Sequence, residues 1–323
     1  MNGATATDWL LRTTDAARLG VALRRIAEYA ALRLWAVIIG CFPIEWNLVT
    51  ARWMGRIWWL VMKRHRDRAL DNLRPALGDR YNESQLREIA RRSFEHFVQL
   101  YLVEAVLTPR LISEWSWARY AELHNLGPAM RALLRERGCI LLTGHFGNYE
   151  LLGYTMCRLG IPLYAVMRPL DNPLINRYLE RTRAAGGLSL LYKKGVSAIA
   201  GELLDRGGAL SFIADQDAGR KGLFVEFFGR KASTYKSIGL LAMQTRVPIV
   251  VGYAARVRRG FHYRIGIERV IQPGEWDAQA DPLLWITQTF TAALEAAVRR
   301  WPEQYLWVHR RWKHRPKDEA GGS

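Results

Sequence analysis

A histidine and a carboxylate stand five residues apart in the segment Gly144-His-Phe-Gly-Asn-Tyr-Glu150. An imidazole that gives one ring N–H to a carboxylate has a fixed tautomer, and its other nitrogen is then a base for a hydroxyl proton. On one continuous helix this spacing would put the two side chains about 140° apart, facing different ways. A loop carrying His145 into a helix carrying Glu150 removes that obstacle. The intervening residues suit such a turn. Gly144 and Gly147 permit a tight backbone close to a ligand, Asn148 is a good N-cap for a helix starting at Tyr149, and Gly160 is a good stop. Glu150 in the first turn also meets the positive helix end. The expectation is a dyad with His145 as base and Glu150 as its partner. Taken alone, the spacing equally describes a loop histidine beside a capping glutamate. No H-E-x-x-H pattern accompanies it, so no metal site is expected.

The elements around this segment place it at a strand end. The apolar run 139–143 reads as a buried strand, and functional groups in α/β folds gather at the carboxyl ends of strands. Further strands are expected at 161–166, 188–191, 209–214, 223–228, 248–254 and 262–267. Helices are expected at 82–107, capped by Ser84 and ended by Thr108-Pro109, and at 128–137, 172–185, 196–204, 237–244 and 282–300. Strands alternating with helices predict an α/β fold with a mixed, largely parallel sheet flanked by helices. Arg168 and Asp171 follow the strand at 161–166. Asp215, Gln216 and Asp217 follow the strand at 209–214, a third strand-end position, where they suit either a site or a turn before Gly219. The stretch Gly229-Arg-Lys-Ala-Ser-Thr-Tyr-Lys236 reads as a loop offering Arg230, Lys231, Ser233, Thr234 and Lys236 ahead of a helix N-terminus, a place that suits an anion.

Composition bounds the function. A chain of 323 residues, half of them apolar and 24% charged, is too apolar for global disorder and long enough for a core without disulfides. The formal charge is 47 − 30 = +17, which points to anionic partners. The basic residues are spread out, and no helix-turn-helix, RNP or finger pattern argues for nucleic acid. A G-x-S-x-G elbow is absent, which argues against a serine hydrolase. Cys41, Cys139 and Cys157 are too scattered for a disulfide framework, and Cys139 and Cys157 read as small buried hydrophobes on a reducing, cytosolic side. With Arg12, Arg18, Arg24 and Arg25 and no early apolar core, the first 28 residues are not expected to be a secretory signal. The uncharged apolar run 34–44 has 11 residues, short of the ~20 a spanning helix needs. It reads as an interfacial segment. Residues 52–62, rich in Trp and aliphatics, run into Lys63-Arg64-His65-Arg66, the pattern of a helix lying on an anionic leaflet. Residues 1–75 are therefore expected to be a helical membrane-attachment region, 76–315 the α/β domain and 316–323 a disordered tail.

The full string Thr143-Gly-His-Phe-Gly-Asn-Tyr-Glu150 resembles the His-x4-acid block of the lysophospholipid-type acyltransferases, above all the lipid A biosynthesis (lauroyl/myristoyl) branch. Three further blocks resemble that branch in order and distance: Met167-Arg-Pro-Leu-Asp-Asn-Pro173, Ala214-Asp-Gln-Asp-Ala-Gly219 and Pro302-Glu-Gln-Tyr-Leu-Trp-Val-His-Arg-Arg-Trp312. The resemblance covers roughly residues 20–315 and implies a glycerolipid acyltransferase-like fold. It implies His145 as general base with Glu150 as partner, Arg168 as phosphate or oxyanion ligand held by Asp171, and Asn148, Asp215, Gln216, Asp217 and the 230–236 residues at the substrates. The implied reaction moves an acyl chain from a thioester, on acyl carrier protein or coenzyme A, to a hydroxyl of a lipid A precursor at the cytoplasmic face of the inner membrane. No metal or redox cofactor and no covalent enzyme intermediate are implied. Another glycolipid acceptor (a phosphatidylinositol mannoside), a lysophospholipid, an aminolipid, or a non-enzymatic basic membrane-binding role are the alternatives.

Overall fold

The computed structural model describes residues 16–133, 136–193 and 195–316, apart from the side chains of 16–18 and 197. Helices α1 (Ala16–Gly40), α2 (Ile44–Val61), α3 (Lys63–Leu77) and α4 (Glu83–Gln99) come first, and a π-helical turn (Leu100–Glu104) leads into α5 (Ala105–Leu111). Then follow β1 (Ala121–His124), α6 (Gly127–Leu133), β2 (Cys139–Thr143), α7 (Tyr149–Arg158), β3 (Leu163–Met167), α8 (Pro173–Ala185), β4 (Ser189–Tyr192), α9 (Val196–Asp205) and β5 (Ala209–Ile213). The chain goes on through β6 (Leu223–Phe227), β7 (Arg230–Thr234), α10 (Ser237–Thr245), β8 (Ile249–Arg256), β9 (Tyr263–Ile271) and α11 (Pro282–Arg300).

Seven strands form one sheet in the order β1-β9-β8-β2-β5-β3-β4, and β6 and β7 form a separate hairpin. Neighbours in the large sheet run parallel except β8 and β9. The central strands are buried on both faces, as their unbroken apolar sequences require: Ile140, Leu142, Leu210, Ile249 and Val251 are fully buried. Helices on both faces complete the cores. The mixed, largely parallel α/β sheet is as expected.

The first three helices share cores with the rest. Ile39, Leu48 and Ala51 pack into the same cluster as Tyr154 and Ile265, and Leu70, Leu73 and Leu77 into the same cluster as Tyr253 and Tyr305. At the crossing of α2 and α4, a Cβ at Gly55 would lie 2.6 Å from Glu95 Cα, so only glycine allows this approach. No packing boundary falls at residue 75. Of the expected tail, 317–323 lies outside the described residues.

Three expectations are corrected. The N-cap of α4 is Asn82, not Ser84: its side chain accepts from Gln85 N (3.0 Å), and the Gln85 side chain accepts from Asn82 N (3.0 Å), a capping box. The helix continues past Thr108 to Leu111 with Pro109 inside it, after the π-helical turn has shifted its phase. The stretch 229–236 is not a loop. Phe228 (φ 54°) and Gly229 (φ 68°) close a two-residue turn, and β7 pairs antiparallel with β6 in the register Val225↔Ala232.

No helix among the described residues is long and apolar enough to cross a membrane. Yet α1, the turn after it and α2 expose large apolar side chains: Val37, Phe42, then Trp46, Val49, Trp53, Ile57 and Leu60 along one face of α2 at three- and four-residue steps.

Candidate active site

Strand pairing builds the site. β2 and β5 run parallel with Thr143 opposite Ile213, so the positions two residues beyond each, His145 and Asp215, arrive side by side at the carboxyl edge. Asp215 holds the histidine twice: Oδ2 accepts from His145 N (2.8 Å) and Oδ1 from His145 Nδ1 (2.8 Å). A Cβ at Gly144 would lie 3.1 Å from Asp215 Oδ2, which makes glycine the fitting residue beside the clamp. Burial alone would raise the Asp215 carboxyl; the adjacent His145, its two hydrogen bonds and Arg311 outweigh burial and hold the carboxyl below its ordinary value. A carboxylate on Nδ1 assigns the proton to that nitrogen and leaves Nε2 with a lone pair. Nε2 faces Gln216 Nε2 at 3.3 Å. The His145 side chain is 16% exposed, so a substrate can reach it.

Glu150 is not the histidine's partner, which corrects the expected dyad. It is buried and forms a two-pronged pair with Arg183 of α8: Arg183 Nε donates to Oε2 (3.2 Å) and Nη2 to Oε1. The reason is local. Asn148 caps α7 by accepting from Leu151 N (2.8 Å), so Glu150 is already on the helix and points toward α8, while the neighbouring strand brings Asp215 level with the ring.

The turn that carries His145 is clamped from beneath. Gly147 has φ +57°, and a Cβ there would meet Ala254 O at 1.9 Å. Asn148 N donates to Ala254 O (2.8 Å), Gly147 N to Gln304 O (3.0 Å) and Leu306 N to His145 O (3.1 Å). His96 Nε2 donates to Gly147 O (3.1 Å); burial first, and Arg256 second, push the His96 pKa down to about 3, so this ring stays neutral. Fully buried Glu104, presented by the π-helical turn, accepts from Asn148 Nδ2 (2.8 Å) and the Tyr263 hydroxyl (2.6 Å) and pairs with Arg256. Nothing in the sequence pattern singled out Glu104, Arg256, His96 or Arg183.

The segment after α11 forms the back of the site. The Tyr305 hydroxyl reaches Asp215. Arg311, 1% exposed, donates through Nη1 to Gln216 O (3.3 Å) and to Ser233 O, and through Nη2 to Thr234 Oγ1 (2.6 Å). Asp217 N donates to His309 Nε2 (3.1 Å), and His314 Nδ1 to Asp217 Oδ2 (2.7 Å). The block 302–312, which carries part of the family resemblance, packs these side chains against Gln216, Asp217 and β7.

The remaining expected site residues divide. Asp215 and Gln216 gather at His145, while Asp217 is held by His309 and His314. Ser233 and Thr234 are buried and spent on backbone and Arg311, Ser233 Oγ donating to Gly219 O at 2.5 Å, so they are not ligand donors in an open loop. Lys231 lies 3.6 Å from Glu226, and Lys236 is exposed beside α10. Arg168 and Asp171 are 86% and 98% exposed in the loop after β3, 3.7 Å from one another, and are not gathered at the imidazole. Beside the histidine, Tyr149 meets its ring edge-on at 5.7 Å. Tyr149, Thr143, Gly153, Leu163 and Ser211 border two narrow cavities of about 100 and 30 Å³ with mostly apolar walls.

A histidine base with an ionised partner suits proton removal from a hydroxyl. The chain is 26% identical over 291 residues to a lipid A biosynthesis lauroyltransferase of Escherichia coli strain K12, covering 88% of this chain and 90% of that protein. It is 28% identical over 215 residues to a lipid A biosynthesis palmitoleoyltransferase of the same strain, covering 64% and 67%. Among solved structures, a 1-acyl-sn-glycerophosphate acyltransferase from Thermotoga maritima aligns at 11% identity and a TM-score of 0.35, over 85% of this chain and 97% of that one. The family model for bacterial lipid A biosynthesis acyltransferases matches residues 19–314, nearly the whole chain. With that span matched, the chain belongs to the bacterial lipid A biosynthesis acyltransferase family.

Proposed function

We propose that this acyltransferase moves a fatty acyl chain from a thioester donor, on acyl carrier protein or coenzyme A, to a hydroxyl of a lipid A precursor, with His145 as general base and Asp215 as the carboxylate that orients it. The observation that carries this reading is the double hold of Asp215 on His145, through the ring and through the backbone. Nδ1–H is committed to Asp215, so Nε2 takes the acceptor's hydroxyl proton as the oxygen attacks the thioester carbonyl. A C–O bond forms, the C–S bond breaks, and the proton passes from the imidazolium to the leaving thiolate. Asp215 stabilises the transient imidazolium without taking its proton. The Gln216 amide is a donor set beside the same nitrogen, suited to the charge that develops on the carbonyl oxygen. The apolar cavities beside Tyr149 are the natural lodging for the start of an acyl chain.

The acceptor is a membrane lipid, and the exposed apolar faces of α1 and α2 support attachment to a membrane surface without a span. Lys63, Arg64 and Arg66 follow directly on α2 and suit the anionic cytoplasmic leaflet of the inner membrane. The test is labelled acyl transfer into a lipid A precursor, with the two donors in parallel. The parent protein should transfer label, and His145→Ala should lose it by 10²-fold or more, roughly the share general base catalysis supplies. Equal transfer by the His145→Ala protein would overturn the assignment.

A further inference from the structure

A groove of about 850 Å³ lies behind the site, between α3 and the segment that follows Tyr305. Its walls are cationic. Lys63, Arg64 and Arg68 come from α3, Arg230 from the start of β7, and Arg310, Lys313 and Arg315 from the C-terminal segment. The carboxylates in its lining, Asp67 and Asp71, already pair with Arg66 (3.7 Å) and Arg74 (3.3 Å), which are not part of the wall. Among the described residues, none of the wall cations has a carboxylate partner within ion-pair distance. Burial, then the neighbouring Arg310 and Arg64, lower the pKa of Arg68; burial, then Arg315, lower that of Arg230. Like charges crowd here with no counter-charge from the protein.

The groove is also built rather than merely charged. Trp312, 7% exposed, lies against Phe227 on one side (ring centroids 5.8 Å apart, 28° between planes), and its ring carries the Arg230 guanidinium at 4.7 Å. Stacking, not an ion pair, therefore fixes Arg230. The Trp312 indole N–H, which can only donate, is buried with no acceptor, and Arg230 Nη1 likewise has none. Folded proteins rarely leave such donors orphaned. Both lie in the wall of the same cationic groove and lack the same thing, an acceptor.

The groove communicates with the catalytic loop through one stretch of chain. Asn72 of α3 donates to Trp307 O (2.7 Å) and His309 O (2.9 Å), while His309, Arg311 and His314 hold Gln216 and Asp217 from the other side. We infer that this groove is a phosphate-ester site, which holds the charged end of a substrate while the remainder extends toward His145. Guanidinium groups and indole N–H suit the oxygens of a phosphate, and the volume admits a phosphorylated sugar or a phosphopantetheine end. The chemistry is common to both substrates: an acceptor lipid carries sugar phosphates, and a thioester donor carries the phosphate of its pantetheine arm. The assignment to a substrate rests on the acyl-transfer reading; the binding does not.

The experiment is calorimetric titration of the full-length chain in detergent with two soluble probes, adenosine 3′,5′-bisphosphate for the donor and glucosamine 1-phosphate for the acceptor. Parent, His145→Ala, Arg230→Gln, Trp312→Phe and a control, Arg206→Gln, are compared. Arg206 is 75% exposed and paired with Glu202 at the opposite end of the sheet. The expected result is that one probe binds, that Arg230→Gln weakens it about tenfold and Trp312→Phe severalfold, and that Arg206→Gln and His145→Ala leave it unchanged. The probe that responds names the source, and the KM of that substrate in the transfer assay should rise more than kcat falls in Arg230→Gln. Equal binding to parent, Arg230→Gln and Trp312→Phe overturns the site. So does an equal loss in Arg206→Gln, which would mark a general charge effect. Probe binding without acyl transfer by the parent would leave the groove standing and refute the proposed reaction.

Discussion

At the scale of single residues, Asp215 and Glu150 exchange the parts that chain distance assigns them. Asp215→Asn keeps the shape but offers the imidazole the wrong hydrogen-bonding partner, so kcat should fall by about 10²–10⁴-fold with little change in KM, measured by acyl transfer. Glu150→Gln should instead act on stability. It leaves the buried Arg183 charge without its counter-ion, a change that costs about 3–5 kcal/mol when one side of such a pair is removed. Thermal melts should show a large fall in Tm for Glu150→Gln and a smaller combined loss in a Glu150→Gln, Arg183→Gln double variant than the single losses sum to. His96 makes a pH prediction. Its folded pKa of about 3 lies well below that of a free histidine, so below about pH 6.5 the unfolded chain gains a proton that the folded chain refuses. The stability His96 contributes is fully present above that pH and is lost as pH falls toward its folded value, by about 1.4 kcal/mol per pH unit. Urea midpoints of the parent should fall through this window, and those of His96→Gln, which can still donate to Gly147 O, should fall less steeply.

At the scale of elements, most of the sheet was legible because each central strand is a short, continuous apolar run bounded by Gly or Pro. The helix that follows His145 was legible too, since Asn148 and Gly160 mark its ends. The partner of His145 was not, because adjacency of β2 and β5 is a relation between segments some 70 residues apart. His145 and Glu150 are near in the chain; His145 and Asp215 are near in the sheet. The hairpin of β6 and β7 escaped for a different reason: its turn puts a phenylalanine at positive φ, where Gly, Asn or Asp is the usual signal. The π-helical turn escaped because apolar spacing looks continuous through it, although it alone swings Glu104 onto Asn148. The turn itself gives a sharp prediction. Gly147→Ala must displace the Ala254 carbonyl and adopt a left-handed backbone, so it should cost more than the ~1 kcal/mol of an ordinary glycine replacement and should abolish transfer together with the helix cap. Soluble yield, Tm and activity of the variant check this.

At the scale of the whole molecule, the proposed anionic interface rests on the net charge of +17 and the exposed apolar side chains of α1 and α2 together. The family could be read from four short blocks, whereas the proposed attachment surface depends on which faces of α1 and α2 the core leaves bare. Residues such as Leu48 and Ala51 on α2 are buried while Trp46, Trp53 and Ile57 are not, a distinction that composition cannot draw. Replacing Trp46, Trp53 and Ile57 together by Ser removes roughly 1.5–3 kcal/mol of apolar burial for each side chain that enters the bilayer. Co-sedimentation with vesicles should fall by more than tenfold, and the fold, read by circular dichroism, should persist. Phosphatidylglycerol vesicles should bind the parent better than phosphatidylcholine vesicles, and added salt should erase that preference.

The strap formed by residues 304–314 has a consequence in time. It supplies the Gln304 carbonyl to Gly147, the Leu306 amide to His145 and the Arg311 guanidinium to Gln216. Ribosomes release α1 and α2 first and this strap after every residue it touches. A nascent chain therefore carries α1 and α2 while the turn around His145 still lacks its clamp. A chain whose translation stops before Tyr305 lacks the Leu306 amide, the Arg311 guanidinium and the aromatic rings that close the core under α3, so premature termination leaves the turn at His145 unclamped.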